Sequence, residues 1–314
     1  MRKILLASTA LVALGVSAAS ADISISGNGK WSYTNNSKST DNASVSGDSM
    51  STAMAITVAS SFASDSGLTY GTSHSLSNGN NDGKKIYVSG SFGEVRIGGD
   101  SAGAAFDVDP SVADGESATH GATAFHGAPT TAKVTDDGIS YFTPSINGFS
   151  AGVSFGDAGA GHGENGDVTE MGASYSQTVG DATIKVSYAA RDTSASNPGG
   201  TDGSEATSMG ATITMGDLSV TVAANTQTKD DTSSNGDESG TGIGLSYVLS
   251  EGLTLKAHTV SSDDDADSTV DNSETAASLT YVVAPGLTAN VAYTDSESGT
   301  TTGTATTAYL KVAF

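Results

Sequence analysis

Leu279-Thr-Tyr-Val-Val-Ala-Pro-Gly-Leu-Thr-Ala-Asn-Val-Ala-Tyr293 decides the architecture of this chain. Leu279, Tyr281 and Val283 recur at every second position, Pro285-Gly286 interrupts them, and Leu287, Ala289, Val291 and Tyr293 resume the same spacing. A period of two marks a strand with one apolar face, and the Pro-Gly break is turn chemistry. The stretch therefore predicts a β-hairpin, and helical spacing does not fit it.

The same unit repeats toward the N-terminus. Ile243, Leu245, Tyr247 and Leu249 cross Ser250-Glu251-Gly252 into Leu253 and Leu255; Met209 to Met215 cross Gly216-Asp217 into Leu218, Val220 and Val222. Equivalent pairs turn at Gly180-Asp181, Asn147-Gly148, Phe92-Gly93 and Ser66-Gly67. Seven hairpins supply fourteen strands, and a first strand from Asp22 to Thr34 and a last from Gly303 to Phe314 bring the number to sixteen. An even set whose end strands can pair closes into an antiparallel barrel, which removes every unpaired edge.

Composition points the same way. Leu, Ile, Val and Phe make up only 17.5% of 314 residues, Ser and Thr 28%, and the formal net charge is −22. Such values would suit a disordered chain, but they also suit a barrel with a thin apolar shell toward lipid and a polar face toward water inside. No apolar run of 18 residues follows residue 21, so a membrane helix is not expected. The predicted fold class is all-β: a 16-stranded antiparallel transmembrane β-barrel with short periplasmic turns and long extracellular loops. The long side is expected at 35–50, 78–83, 100–136, 157–166, 193–203, 229–238, 263–273 and 297–302.

Residues 1–21 read as a secretory signal: Arg2 and Lys3, an apolar stretch from Ile4 to Val16, then Ala19-Ser20-Ala21. The mature barrel would span 22–314 with a net charge of −24, in the bacterial outer membrane. Such a charge disfavours nucleic acid, and the absence of cysteine removes disulfides and thiolate zinc sites.

With the apolar residues outward, Lys30, Lys85, Arg96, Lys185, Lys256 and Lys311 all take the inward parity. A base on the lipid face near the midplane costs about 2–4 kcal/mol, so this placement implies a water-filled lumen. The segment 100–136 carries Asp107, Asp109, Asp114, Glu116 and Asp136, with Lys133 near its end. A sixteen-strand barrel is wide enough to hold an aqueous channel. This segment is expected to fold inward as a constriction, setting its acids against the lumenal bases. Tyr33, Tyr70, Tyr141, Tyr175, Tyr188, Tyr247, Tyr281 and Tyr293, with Trp31, mostly take the outward parity of membrane-interface girdles.

Asp65-Ser-Gly-Leu-Thr-Tyr-Gly71 and Lys85-Ile-Tyr-Val-Ser-Gly-Ser-Phe-Gly-Glu-Val-Arg-Ile-Gly-Gly99, followed by Asp100, resemble the second to fifth strands of alphaproteobacterial, purple-bacterial type trimeric general-diffusion porins. The terminal Tyr309-Leu-Lys-Val-Ala-Phe314 resembles the aromatic-ended last strand by which outer-membrane proteins are recognised for insertion. The resemblance implies a homotrimer, passive diffusion of ions and small hydrophilic solutes, and an inward third loop. Where such porins often carry an arginine cluster, this chain is expected to offer only Arg96 and scattered lysines, which shifts the expected selectivity toward cations.

Bond chemistry has weak support. Gly148-Phe-Ser-Ala-Gly152 fits a nucleophile pattern at Ser150 but follows a hairpin turn with no strand-to-helix elbow. Gly161-His-Gly-Glu-Asn-Gly166 fits a dinucleotide pattern without a βαβ unit, and the five histidines show no H-E-x-x-H spacing. Asp263, Asp265, Asp267, Asp271 and Glu274 match calcium-loop positions, with Ser268 where the turn glycine belongs. Weak calcium binding near anionic lipopolysaccharide is therefore expected, and no other cofactor. Alternatives to a channel are a surface adhesin or receptor barrel using the acidic loops, and a barrel-embedded hydrolase using Ser150.

Overall fold

The computed structural model describes residues 22–40, 43–78, 80–98, 103–104, 112, 138–157, 167–193, 203–229, 237–264, 272–299 and 301–314. The expected signal at 1–21 and most of 100–136 lie outside the described residues. Sixteen strands follow in order. They are β1 (Asp22–Thr40), β2 (Ala43–Ala63), β3 (Thr69–Ser77), β4 (Asn80–Gly90), β5 (Gly93–Ile97), β6 (Ile139–Phe142), β7 (Phe149–Asp157) and β8 (Asp167–Val179). The second half comprises β9 (Ala182–Thr193), β10 (Ser204–Met215), β11 (Leu218–Lys229), β12 (Glu238–Ser250), β13 (Leu253–Asp264), β14 (Asn272–Ala284), β15 (Leu287–Ser298) and β16 (Thr301–Ala313).

Each strand pairs antiparallel with its sequence neighbours, and β1 closes the sheet against β16. The ladder runs from Asn28 opposite Ala313 to Ser39 opposite Thr302. Gly27 and Phe314 continue it by exchanging two backbone hydrogen bonds of 3.0 Å. All seven turn glycines named from the sequence have positive φ. In one of them Asn147 (φ 51°) and Gly148 (φ 86°) supply the two successive left-handed residues a tight hairpin requires.

The two faces separate as the period of two demands. Ile56, Val58, Ile86, Met171, Ile213, Leu245, Leu279, Val291 and Leu310 are exposed on the outer wall. So are Trp31, Tyr70, Tyr141, Tyr175, Tyr188, Tyr247, Tyr281 and Tyr293. The inner wall is lined by hydroxyls that pair across strands: Thr34 with Thr307 (2.9 Å), Thr57 with Ser75 (2.8 Å), Ser150 with Ser174 (3.0 Å) and Thr212 with Thr221 (2.9 Å). Such inward hydroxyls contribute to the high Ser and Thr content, and cross-strand pairs of this kind contribute about 0.2–1 kcal/mol each.

Three of the expected long connections are short. The strands run on into 35–50, so that β1 ends at Thr40 and β2 begins at Ala43. There Asn35 Nδ2 donates to Asp48 (2.5 Å), a polar cross-strand pair on a ladder that has no continuous apolar outer face in the sequence. At 78–83 the chain already turns at Asn78 (φ 49°), whose N–H donates to the Met54 carbonyl (2.7 Å) while its side-chain oxygen accepts from the Met54 N–H (2.8 Å). At 297–302, β15 reaches Ser298 and β16 resumes at Thr301. The strands also depart from a uniform length of about ten, since β5 and β6 have 5 and 4 residues.

Gly148 and Gly180 allow a direct test of the turn geometry. A Cβ at Gly148 would lie 2.1 Å from the Ser176 carbonyl oxygen, whereas at Gly180 (φ 62°) nothing lies within 4 Å. Gly180→Ala is expected to cost about 1–2 kcal/mol, the left-handed backbone alone. Gly148→Ala is expected to cost at least about 3 kcal/mol, because overpacking against a fixed carbonyl adds to that strain. Urea midpoints of the two variants refolded into lipid vesicles measure the difference.

Candidate functional site

The lumen is the concave polar space of the molecule, and its wall is set by register. Arg96 on β5 stands opposite Tyr87 on β4 and Ser140 on β6, on the inner face. Its guanidinium forms an ion pair with Glu94 two residues away and lies 4.0 Å from the centroid of the Phe142 ring. Lys30 stands opposite Lys311, and its Nζ is 4.4 Å from the centre of the Tyr309 ring. Lys85 Nζ is 5.8 Å from the Tyr87 ring. Lys256 is flanked by Ser246 and Ser278, and Lys185 by Ser176 and Thr212. Four of these six bases, Lys311, Lys30, Lys85 and Arg96, belong to the arc running from β16 through β1 to β5.

The described residues of the 100–136 segment lie inside the barrel against the other arc. The Ala104 N–H donates to Ser154 Oγ (2.6 Å), which also accepts from Ser140 (2.9 Å), and Ala104 is fully buried. Gly103 is packed so closely on β8 that a Cβ there would lie 2.7 Å from Glu170 Oε2. Four strands further round, Val112 is buried with Ala223 of β11 and Val260 of β13. Asp107, Asp109, Asp114, Glu116, Lys133 and Asp136 lie outside the described residues.

Four charged or titratable groups belong to the inner wall beyond the six bases expected there: Glu170 and Arg191, which the sequence reading does not single out, and His258 and Glu274, which it does not assign to the wall. Glu170 and Arg191 face each other across β8 and β9 and are 0% and 6% exposed. Arg191 therefore corrects the expectation that Arg96 is the sole arginine of the lumen. His258 on β13 and Glu274 on β14 form a second pair, Nε2 to Oε1 at 2.9 Å, both buried. The same parity rule that placed the lysines would have found all four. Met171 and Ala173 outward put Glu170 inward, and Leu255 and Ala257 outward put His258 inward.

Register separates the ends of the calcium-like loop. Asp263 is exposed on the outer face of β13, while Glu274 points into the barrel and is committed to His258. Asp265, Asp267 and Asp271 lie outside the described residues, and among those described no three metal-ligating side chains converge. Ser150 Oγ bonds the Ser174 hydroxyl (3.0 Å) on the inner wall, beside the Asn147-Gly148 turn. His74 is exposed on the outer wall, and His120, His126 and His162 lie outside the described residues.

A closed barrel with an apolar outside, a hydroxyl- and charge-lined inside, and chain folded against its inner wall defines a membrane channel. No helix among the described residues is long and apolar enough to span a bilayer, so the crossing is made by strands. The chain belongs to the Gram-negative porin family, whose model matches residues 7–312. It forms a channel for passive diffusion across the outer membrane. Its fold is similar to that of the anion-selective porin from Comamonas acidovorans (TM-score 0.71, 15% identity, 94% of this chain and 100% of that one). It is similar also to outer-membrane expressed OmpT of Vibrio cholerae (0.72, 11%, 95% and 99%). A mutant of Rh. blastica porin matches as well (0.61, 18%, 93% and 100%), in keeping with the purple-bacterial resemblance. No curated protein matches the chain in sequence.

Glu170→Ala removes the carboxylate that faces the buried Arg191 guanidinium across the β8–β9 ladder. Removing one of two opposite buried charges destabilises by up to roughly 3–5 kcal/mol, whereas replacing both by apolar groups is far cheaper. The expected result is a marked fall in the urea midpoint for Glu170→Ala and its partial recovery in Glu170→Ala/Arg191→Leu.

Proposed function

We propose that the barrel works as a homotrimeric general-diffusion channel for ions and small hydrophilic solutes, narrowed by the 100–136 segment and weakly cation-selective at low salt. The observation that carries this reading is the placement of Gly103, Ala104 and Val112 inside the barrel, on β7, β8 and β11–β13. The open section is then bordered by Lys311, Lys30, Lys85 and Arg96. A structure of Vibrio cholerae OmpT in a trimer form (TM-score 0.67) supports the assembly. The hydroxyl partner of Ser150 supports a transport role without bond chemistry. Residues 1–21 act as the export signal.

Charge is unevenly distributed. The wall bases share the lumen with Glu94, Glu170 and Glu274, whereas Asp65, Asp181, Asp217 and Glu251 occupy the short turns and Asp167, Asp192, Glu205, Asp263, Asp295 and Glu297 the opposite strand ends. Acids at both mouths enrich cations over a screening distance of about 30 Å at 0.01 M salt but only about 3 Å at 1 M. The acids beside the outer leaflet also attract calcium, which bridges them to anionic lipopolysaccharide. Bound calcium is then diffuse, held by Asp263, Asp265, Asp267 and Asp271 more than by Glu274.

Reversal potentials across planar bilayers are expected to show cation preference in dilute salt gradients and a progressive loss of it as salt rises. Anion preference at every concentration would remove the cationic reading. Deleting residues 105–130 is expected to raise both single-channel conductance and the solute exclusion limit. An unchanged exclusion limit would show that the segment does not narrow the channel.

A further inference from the structure

Val112 occupies a site built by the glycines of the wall it meets. In Gly240-Thr-Gly-Ile-Gly244 of β12, the three glycines take the inward parity and Thr241 and Ile243 the outward one. Glycine in a strand gives up side-chain packing and often marks a place where another backbone comes close. Here the visitor is identified. A Cβ on Gly242 would lie 2.5 Å from Val112 Cγ2 and 2.8 Å from Val260 Cγ1, and a Cβ on Gly244 would lie 2.7 Å from the Val112 carbonyl oxygen. Gly242 is flanked by Ala223 and Val260, which stand opposite it on β11 and β13. Together with Val112 these two form an apolar cluster at 7%, 4% and 7% exposure for Ala223, Val260 and Val112.

We propose that Val112 is the residue that positions the constriction, by seating its isopropyl group in a socket built from Gly242, Gly244, Ala223 and Val260. This rests on the channel reading and extends it to the device that fixes the aperture. An apolar seat suits the task because it is insensitive to ionic strength. Contacts between charges in a water-filled lumen weaken as salt rises. With Val112 held on β11–β13, the solute path is kept along the arc of Lys311, Lys30, Lys85 and Arg96. Val112 touches no solute itself and acts by placing the chain that does.

The chain contains no cysteine, so engineered thiols report without background. Val112→Cys/Gly242→Cys is expected to form a disulfide under mild oxidation of the purified folded channel, the two side chains lying within bonding reach. Val112→Cys/Ala292→Cys, with the second thiol on the inner face of β15, is expected to stay reduced. Equal cross-linking in both pairs, or none in the first, would overturn the proposal. Should the Gly242 variant fail to fold, Val112→Cys alone decides the matter: the seated thiol reacts many-fold more slowly with a water-soluble reagent in the native channel than after unfolding, and equal rates overturn it. Val112→Asp is expected to raise the exclusion limit and open-channel noise, and the cross-linked pair to conduct like the unmodified channel at all salt concentrations. An aperture unchanged in Val112→Asp would refute the positioning role. Were the unmodified protein silent in bilayers, the channel reading would fall, and the cross-linking pattern would still judge the seat.

Discussion

Closure of the sheet is the constraint on which everything else depends. In lipid no water is present to satisfy backbone N–H and C=O groups, so a strand-built membrane protein cannot keep an edge. The β1–β16 ladder removes that edge, and its last rung is the pair of hydrogen bonds between Gly27 and the terminal Phe314. Gly27 is tightly fitted there: a Cβ would meet the Ala55 carbonyl at 2.5 Å and the Phe314 ring at 2.9 Å. Once closed, the sheet has an outside and an inside, and alternation along each strand assigns every side chain to one of them.

The composition follows from that division. A globular protein of 314 residues needs a thick apolar core, whereas this wall needs only a single outward layer of Val, Leu, Ile and aromatic residues, since lipid supplies the rest of the apolar environment. The inward layer is free to be polar, and Ser and Thr fill it with hydroxyl pairs across neighbouring strands. The low aliphatic content that would suit a disordered chain is thus a consequence of having the solvent on both sides reversed.

Strand number, closure, turn positions and the inward set of lysines were legible because each depends on local alternation and on glycine turns. The tops of the strands were not. Residues 35–50 are polar at nearly every position, and polarity outside the hydrocarbon layer does not distinguish a continuing ladder from a loop. At Asn78 the Asn-Gly pair is itself a hairpin signal, but the polar residues that follow it are equally compatible with a longer connection. Glu170, Arg191, His258 and Glu274 obey the parity rule, but Glu170, Arg191 and Glu274 lie near strand ends, where charge is equally compatible with exposure to solvent. The seat of Val112 could not be inferred from any local pattern. It needs the chain to return from far along the sequence to a row of glycines whose purpose is otherwise invisible.

The central claim is that alternate side chains of one wall face lipid and water. Single cysteines placed at 208 to 215 along β10, in a chain with none of its own, test it with a membrane-impermeant thiol reagent applied to channels in intact lipid vesicles. Reaction is expected at Gly210, Thr212 and Thr214 and protection at Met209, Ala211 and Ile213. Uniform labelling, or labelling in the opposite phase, would contradict the account.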